Sequence, residues 1–192
     1  MIVAVLLTGC GRQIPPSATP VPARRVDHTP VGSFALVYDP TRATPLMADD
    51  VGIWRWAGGW EPLGPSAPSG VTALALDPER PETLFAAGVG VGVLRSEDGG
   101  QTWAASSEGL PNPSVTALAL HSYRSKTLLA WVQGQGIYRT ENGGRRWERM
   151  PDPGPPDKHV RGLVHSDLPG SMNTGWLYAS TPTGVYLSMD CF

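Results

Sequence analysis

Two carboxylates that flank a glycosidic bond can cleave it, one protonating the leaving oxygen while the other activates water or attacks the sugar. The acids that stand out for such chemistry are Asp49, Asp50, Asp152 and Asp157, with Lys158, His159 and Arg161 beside the last of them. Asp49 and Asp50 are adjacent, so their side chains tend to diverge. Asp50 and Asp157 are kept as catalytic candidates, although solvated loop acids explain the same residues without any special geometry and are the favoured reading. Trp54 and Trp56 lie two apart, which on a strand puts them on one face, where they could stack on a sugar or a partner side chain. A place in the core is favoured for both, and also for Trp131 and Trp176. His28, His121, His159 and His165 fall in no metal-ligand spacing and the cysteines form no cluster, so neither a metal nor a cofactor is expected.

The elements that must position these residues are repeats. VTALAL at 71–76 returns at 115–120, Leu84 as Leu128, Gly92 as Gly136, Arg95 as Arg139 and Trp103 as Trp147, each 44 residues later. A period of this length marks a repeat architecture. Within one period, strand patterns at 71–76, 83–87, 91–95 and 102–105 are separated by Asp77-Pro78, the Gly88–Gly90 turn and a tight Asp-Gly-Gly turn. The next unit repeats them near 115–120, 127–132, 135–139 and 146–149. A further unit begins at 160–165 and continues at 176–180 and 185–187. A degenerate one precedes them all, with Phe34 to Tyr38, Leu46 to Ala48, Gly52 to Arg55 and then Gly58-Gly59-Trp60. Four-stranded units of about 40 to 45 residues are what propeller blades require, since each sheet has two apolar faces that only its neighbours can cover. The expected fold is an all-β propeller with blades at about 31–68, 69–112, 113–157 and 158–192.

Ser96-Glu97-Asp98-Gly99-Gly100-Gln101-Thr102-Trp103 resembles the S-x-D-x-G-x-T-W Asp box, or BNR repeat. Thr140-Glu141-Asn142-Gly143-Gly144-Arg145-Arg146-Trp147 is similar with Asn for Asp, and Ser188-Met189-Asp190 is the start of a third copy. The side chains of Asp98 and Asn142 can accept backbone N–H groups and close the turn, Gly99 and Gly100 can take positive φ, and Trp103 is expected to pack beneath the hairpin. These boxes therefore read as structural. The resemblance implies a fold shared by exo-sialidases, xyloglucan-cleaving glycosidases, sortilin-type receptors and photosystem assembly factors. It also implies an active face opposite the boxes, the face to which turns and links carrying Asp49, Asp50, Asp152 and Asp157 belong. The F/Y-R-I-P segment of sialidases is absent, which weighs against sialic acid.

Composition agrees with many short strands, since 23 Gly and 20 Pro break helices while seven Trp and 41% hydrophobic content supply a core. A net charge of −2 without a long basic run argues against nucleic acid as a partner. At the start, the apolar run 1–9 is too short to span a membrane, and Leu7-Thr8-Gly9-Cys10 resembles the bacterial lipobox. That resemblance implies a cleaved signal at 1–9 and diacylglycerol on Cys10. Residues 10–30, rich in Pro and poor in large apolar groups, are expected to be a tether reaching up to roughly 60 Å.

The last residues stop inside what should be a hairpin, and closed Asp-box rings commonly need six or more blades. A truncated ring is therefore expected in 31–192, with a small four-blade ring completed by N-terminal residues and an open arc that closes by association as the alternatives; an open arc would carry uncovered faces that favour self-association. The function expected is that of an exported, lipid-anchored binding or assembly module outside the cytoplasm. A glycoside hydrolase, or a fragment of one, is the alternative.

Overall fold

The computed structural model describes residues 35–152, 154–168 and 175–188. Cys10 and Asp190 lie outside the described residues. Four antiparallel sheets follow one another along the chain. The first holds β1 (Ala35–Asp39), β2 (Thr44–Ala48), β3 (Ile53–Trp56) and β4 (Trp60–Pro62). The second holds β5 (Ala73–Leu76), β6 (Leu84–Gly88), β7 (Gly92–Ser96) and β8 (Ala104–Ala105). The third holds β9 (Val115–Leu120), β10 (Leu128–Val132), β11 (Gly136–Thr140) and β12 (Glu148–Arg149). The fourth holds β13 (Gly162–Ser166), β14 (Trp176–Thr181) and β15 (Gly184–Ser188). Within each sheet the strands pair in chain order. The sheets are the blades of a β-propeller, with the leading strands side by side: β5 packs against β1, β9 against β5 and β13 against β9. β1 and β13, at the ends of this series, are not packed together in that way.

The repeated segment VTALAL has no polar alternation because both its faces are covered. Ala73 and Ala75, with Phe85, Ala87 and Val93, pack toward the third sheet against Leu118, Leu128, Ala130 and Tyr138. Leu74, Leu84 and Ala86 pack the other way, against Leu46, Ala48 and Ile53 of the first sheet. Small side chains on one sheet thus receive large ones from the next, the interdigitation that a dense core requires. The repeat extends to register, with Leu76 opposite Leu84 and Leu120 opposite Leu128. One departure is compensated locally. Trp131 stands where the second sheet has Ala87, is completely buried, and lies over Gly154, at which a Cβ would come within 2.5 Å of its ring.

Three aromatic expectations need correction. Trp103 is only partly buried, whereas its repeat mate Trp147 is 1% exposed and donates from Nε1 to the Ser106 carbonyl at 2.6 Å. The difference lies in the preceding blade. Residues 106–110 of the second sheet wrap Trp147, so closely that a Cβ on Gly109 would sit 2.2 Å from its carbonyl oxygen. The first sheet has the shorter final hairpin; Leu63 and Gly64 reach the box that carries Trp103, and Arg55 donates to its Gly99 carbonyl at 3.5 Å, but no segment wraps the ring as 106–110 wrap Trp147. Trp54 and Trp56 do share a face, but it is the face of the first sheet turned away from the second, and both are half-buried there. Trp176 is likewise only partly buried, while Trp131 is core.

Trp147→Ala is expected to lower unfolding free energy by about 3 to 5 kcal/mol in urea titrations, the range for an emptied aromatic site. Trp103→Ala should cost clearly less. Equal losses would contradict the different burial of the two rings.

Candidate functional site

The boxes look chemical in sequence, but their polar atoms are already used. Ser96 Oγ donates to Asp98 Oδ1 at 2.7 Å and accepts from the Gly100 amide at 2.8 Å, while the Thr102 amide donates to Asp98 Oδ1 at 2.9 Å. Hydrogen bonds from Thr102, hydroxyl first and then amide, and from Ser96 hold the Asp98 carboxyl down to about 2, so it remains a fixed acceptor and not a proton donor. In the second box Asn142 Oδ1 accepts from the Thr140 hydroxyl at 2.8 Å and from the Arg146 amide at 3.0 Å, and Gly144 N–H donates to Thr140 Oγ1 at 3.1 Å. The geometry survives the loss of charge, as a turn lock would. Ser188, from the third box, donates to Asp152 Oδ2 at 2.9 Å.

A second set of turn locks was missed in the sequence. Asp39 and Asp77 are buried and accept the amides of residues two and three positions on, and each is held by an arginine, Arg42 or Arg80. Burial alone would raise the Asp39 carboxyl; the hydrogen bonds from Arg42 and Thr41 outweigh it and leave it lowered. The recurring Asp-Pro-x-Arg spacing was the available signal. The third sheet has His121 in that place, its Nδ1 accepting from the Tyr123 amide at 3.1 Å, and its ring stacks on His165 at 4.0 Å. His165 Nδ1 in turn accepts from the Ser122 amide at 3.1 Å. Among the described residues no three His, Cys, Asp or Glu side chains are grouped to hold a metal.

The remaining candidate is a cleft of about 690 Å³ on the side of the propeller opposite the boxes. Its wall is made by repeat-equivalent positions: Thr72, Thr116 and Arg161 beside the starts of β5, β9 and β13, and Val89, Gln133 and Pro182 from the hairpin turns. Lys158, His159 and Val160 complete it. Thr116 Oγ1 donates to the Val160 carbonyl at 2.7 Å, whereas its mate Thr72 Oγ1 is buried without a hydrogen-bond partner. Where the third copy replaces threonine by Arg161, nothing in the fold requires a cation, and no carboxylate pairs with it among the described residues. No Asp or Glu lines the cleft.

The acids singled out in sequence do not converge. Asp49 is buried, and its Oδ1 accepts from the Val51 and Gly52 amides and from Trp54 Nε1, all within 3.1 Å. Asp50 is exposed in the β2–β3 turn. Asp152 sits beside the third box. Asp157 accepts from the His159 amide at 2.9 Å, from Thr183 Oγ1 at 2.9 Å and from the His159 ring at 3.0 Å. That amide above all outweighs the opposing effect of burial and, with the Thr183 and His159 side chains, holds its carboxyl down to about 2. Two blades separate Asp50 from Asp157 along the arc, and an ionised Asp157 has no proton to give.

No protein-family model and no curated protein matches this chain. Solved structures do. The xyloglucanase of glycoside hydrolase family 74 from Xanthomonas campestris aligns with a TM-score of 0.63 at 22% identity, over 87% of this chain and 30% of that one. The family 74 enzyme of Niastella koreensis aligns with a TM-score of 0.62 at 23% identity, over 83% and 29%. A chain of a mitotic checkpoint complex also aligns, with a TM-score of 0.54 at 12% identity, over 81% and 49%. This chain thus spans about 30% of the length of the two enzymes. The likeness is one of fold, and it reaches proteins with unrelated tasks.

Burial, and then the neighbouring His121, lower the His165 imidazole to about 4. The folded protein keeps it neutral where the unfolded chain takes up a proton, so stability should fall as pH drops from about 6.5 toward 4. Melting temperatures measured from pH 7 to pH 4.5 are expected to decline, and His165→Leu should flatten that decline. An unchanged slope in the variant would remove His165 as its source.

Proposed function

We propose that this chain is a binding or assembly module of the bacterial cell envelope, exported, anchored through a lipid on Cys10, and using the cleft opposite the boxes to hold a protein or glycan bearing a carboxylate. The observation that carries the reading is the cleft lining: Arg161 and Lys158 with Thr72, Thr116 and Gln133, and no acid among them. A guanidinium offers paired donors that match the two oxygens of a carboxylate, and an ammonium adds charge without fixed geometry. Such a lining binds anions and lacks the acid and base that hydrolysis needs.

Hydrolysis of a glycosidic bond is the second reading, favoured by the likeness of fold to the two family 74 enzymes. Asp50 and Asp157 would have to supply it. The separation of these two residues by two blades and the occupied state of Asp157 both count against it.

Binding is expected to be visible by calorimetry with oligogalacturonate or with a peptide ending in two glutamates. The affinity should weaken roughly tenfold or more in Arg161→Ala and fall with added salt. Binding that is indifferent to both would reject the cleft. On a panel of fluorogenic glycosides no turnover is expected, and turnover abolished by Asp50→Asn or Asp157→Asn would favour the enzyme instead. In a bacterial host fed a radiolabelled fatty acid, the full chain should take up label and sediment with membranes, and Cys10→Ser should do neither.

A further inference from the structure

The first and last blades each carry a face with no neighbour among the described residues. On β1, Ala35 and Val37 turn toward the second sheet, while Leu36 (68% exposed) and Tyr38 (60%) turn away from it. On the fourth sheet, Leu163, Leu177 and Ala179 pack toward the third, while Val164 (62%), Val185 (71%) and Leu187 (48%) turn outward. These five account for more than half of the exposed large apolar side chains among the described residues, so the exposure is concentrated on two surfaces.

The positions are those by which the repeat makes its own interfaces. Register equates Leu36 with Leu74, Leu118 and Leu163, each buried against the blade before it. It equates Val185 with Val93 and Ile137, each buried against the blade after it. Val93 and Leu118 share one cluster, and Ile137 and Leu163 share the next. The first blade therefore presents one half of this interface and the last blade presents the other half.

We propose that a second copy of this chain covers both faces, the last blade of each copy packing on the first blade of the other. The two halves are unlike, so the contact is head-to-tail, and it closes when a two-fold axis relates the copies. Two copies bring the ring to eight blades, the upper end of the usual range of four to eight, and leave no blade face bare; a third would exceed that range. The driving force is the one that holds the blades together within the chain, removal of aliphatic and aromatic faces from water.

Light scattering at tens of micromolar on the purified full chain carrying Cys10→Ser, so that no lipid is attached, is expected to give twice its mass of about 20.4 kDa. Leu36→Lys or Val185→Glu alone should give the single mass with the far-UV spectrum and melting transition retained, because both side chains lie in solvent within one copy. Mixing the two variants should restore the double mass. The acidic last face of one then meets the basic first face of the other, and the second interface of the ring is native. A single mass for the chain with both faces unaltered overturns the proposal, whether the faces stay bare or other residues of the same chain cover them. A ladder of masses beyond two copies, or failure of the mixture to recover, overturns it as well, since closure or the pairing of unlike faces would then be wrong.

Discussion

A sheet whose two faces are both apolar must be covered on both sides, and everything else in this protein follows from that requirement. Ala73 and Leu74 are neighbours on one strand, yet they belong to different cores, one shared with the third blade and the other with the first. Stability in such an array comes from each blade together with its contacts to the next, so no blade is an independent unit. The same rule explains why small and large residues change places between copies. Trp131 enters where Ala87 stood only because Gly154 leaves space beneath its ring.

Polar residues serve that packing in two ways. At the turns, Ser96 with Asp98, Thr140 with Asn142, and Asp39 and Asp77 with their arginines satisfy amides that would otherwise be lost to water or left without partners. Each such acceptor is fully engaged, and an engaged carboxylate is a poor acid. At the opposite end of the blades the copies are free to diverge, because the hairpin turns and strand starts there have their own backbone bonds. Thr72, Thr116 and Arg161 occupy one position in three blades and carry three different fates: a hydroxyl without a partner, a hydroxyl bonded to the neighbouring blade, and a cation facing the cleft. The residues that set this cleft apart from the rest of the repeat stand where the copies diverge, not where they agree.

Much of the fold was legible because the repeat wrote it twice. Two copies of VTALAL with matching glycines located the second and third blades, and the strand boundaries fell within about two residues of the observed ones. The site was legible only in part. The run from Asp157 to Arg161 was noticed for its charge, but Thr72, Val89, Thr116, Gln133 and Pro182 are unremarkable in sequence and become a wall only when three blades bring them together. Asp49 and Asp50 show the converse. Adjacent in the chain, they separate in space, one buried as a turn acceptor and the other in solvent.

The sequence alone determined the blade and its strand order, because these depend on local pattern: apolar strands, turn-forming pairs and glycines at fixed spacing. It could not decide which tryptophan is core. Trp103 and Trp147 occupy the same place in the same motif, and their burial differs because the blade preceding each has a final hairpin of different length. Nor could it decide which faces are covered, since Leu36 and Leu118 are the same residue at the same register and only the presence of an adjoining sheet makes one core and the other surface. Burial is a property of neighbours brought together by the tertiary structure, and a residue's own segment does not contain them.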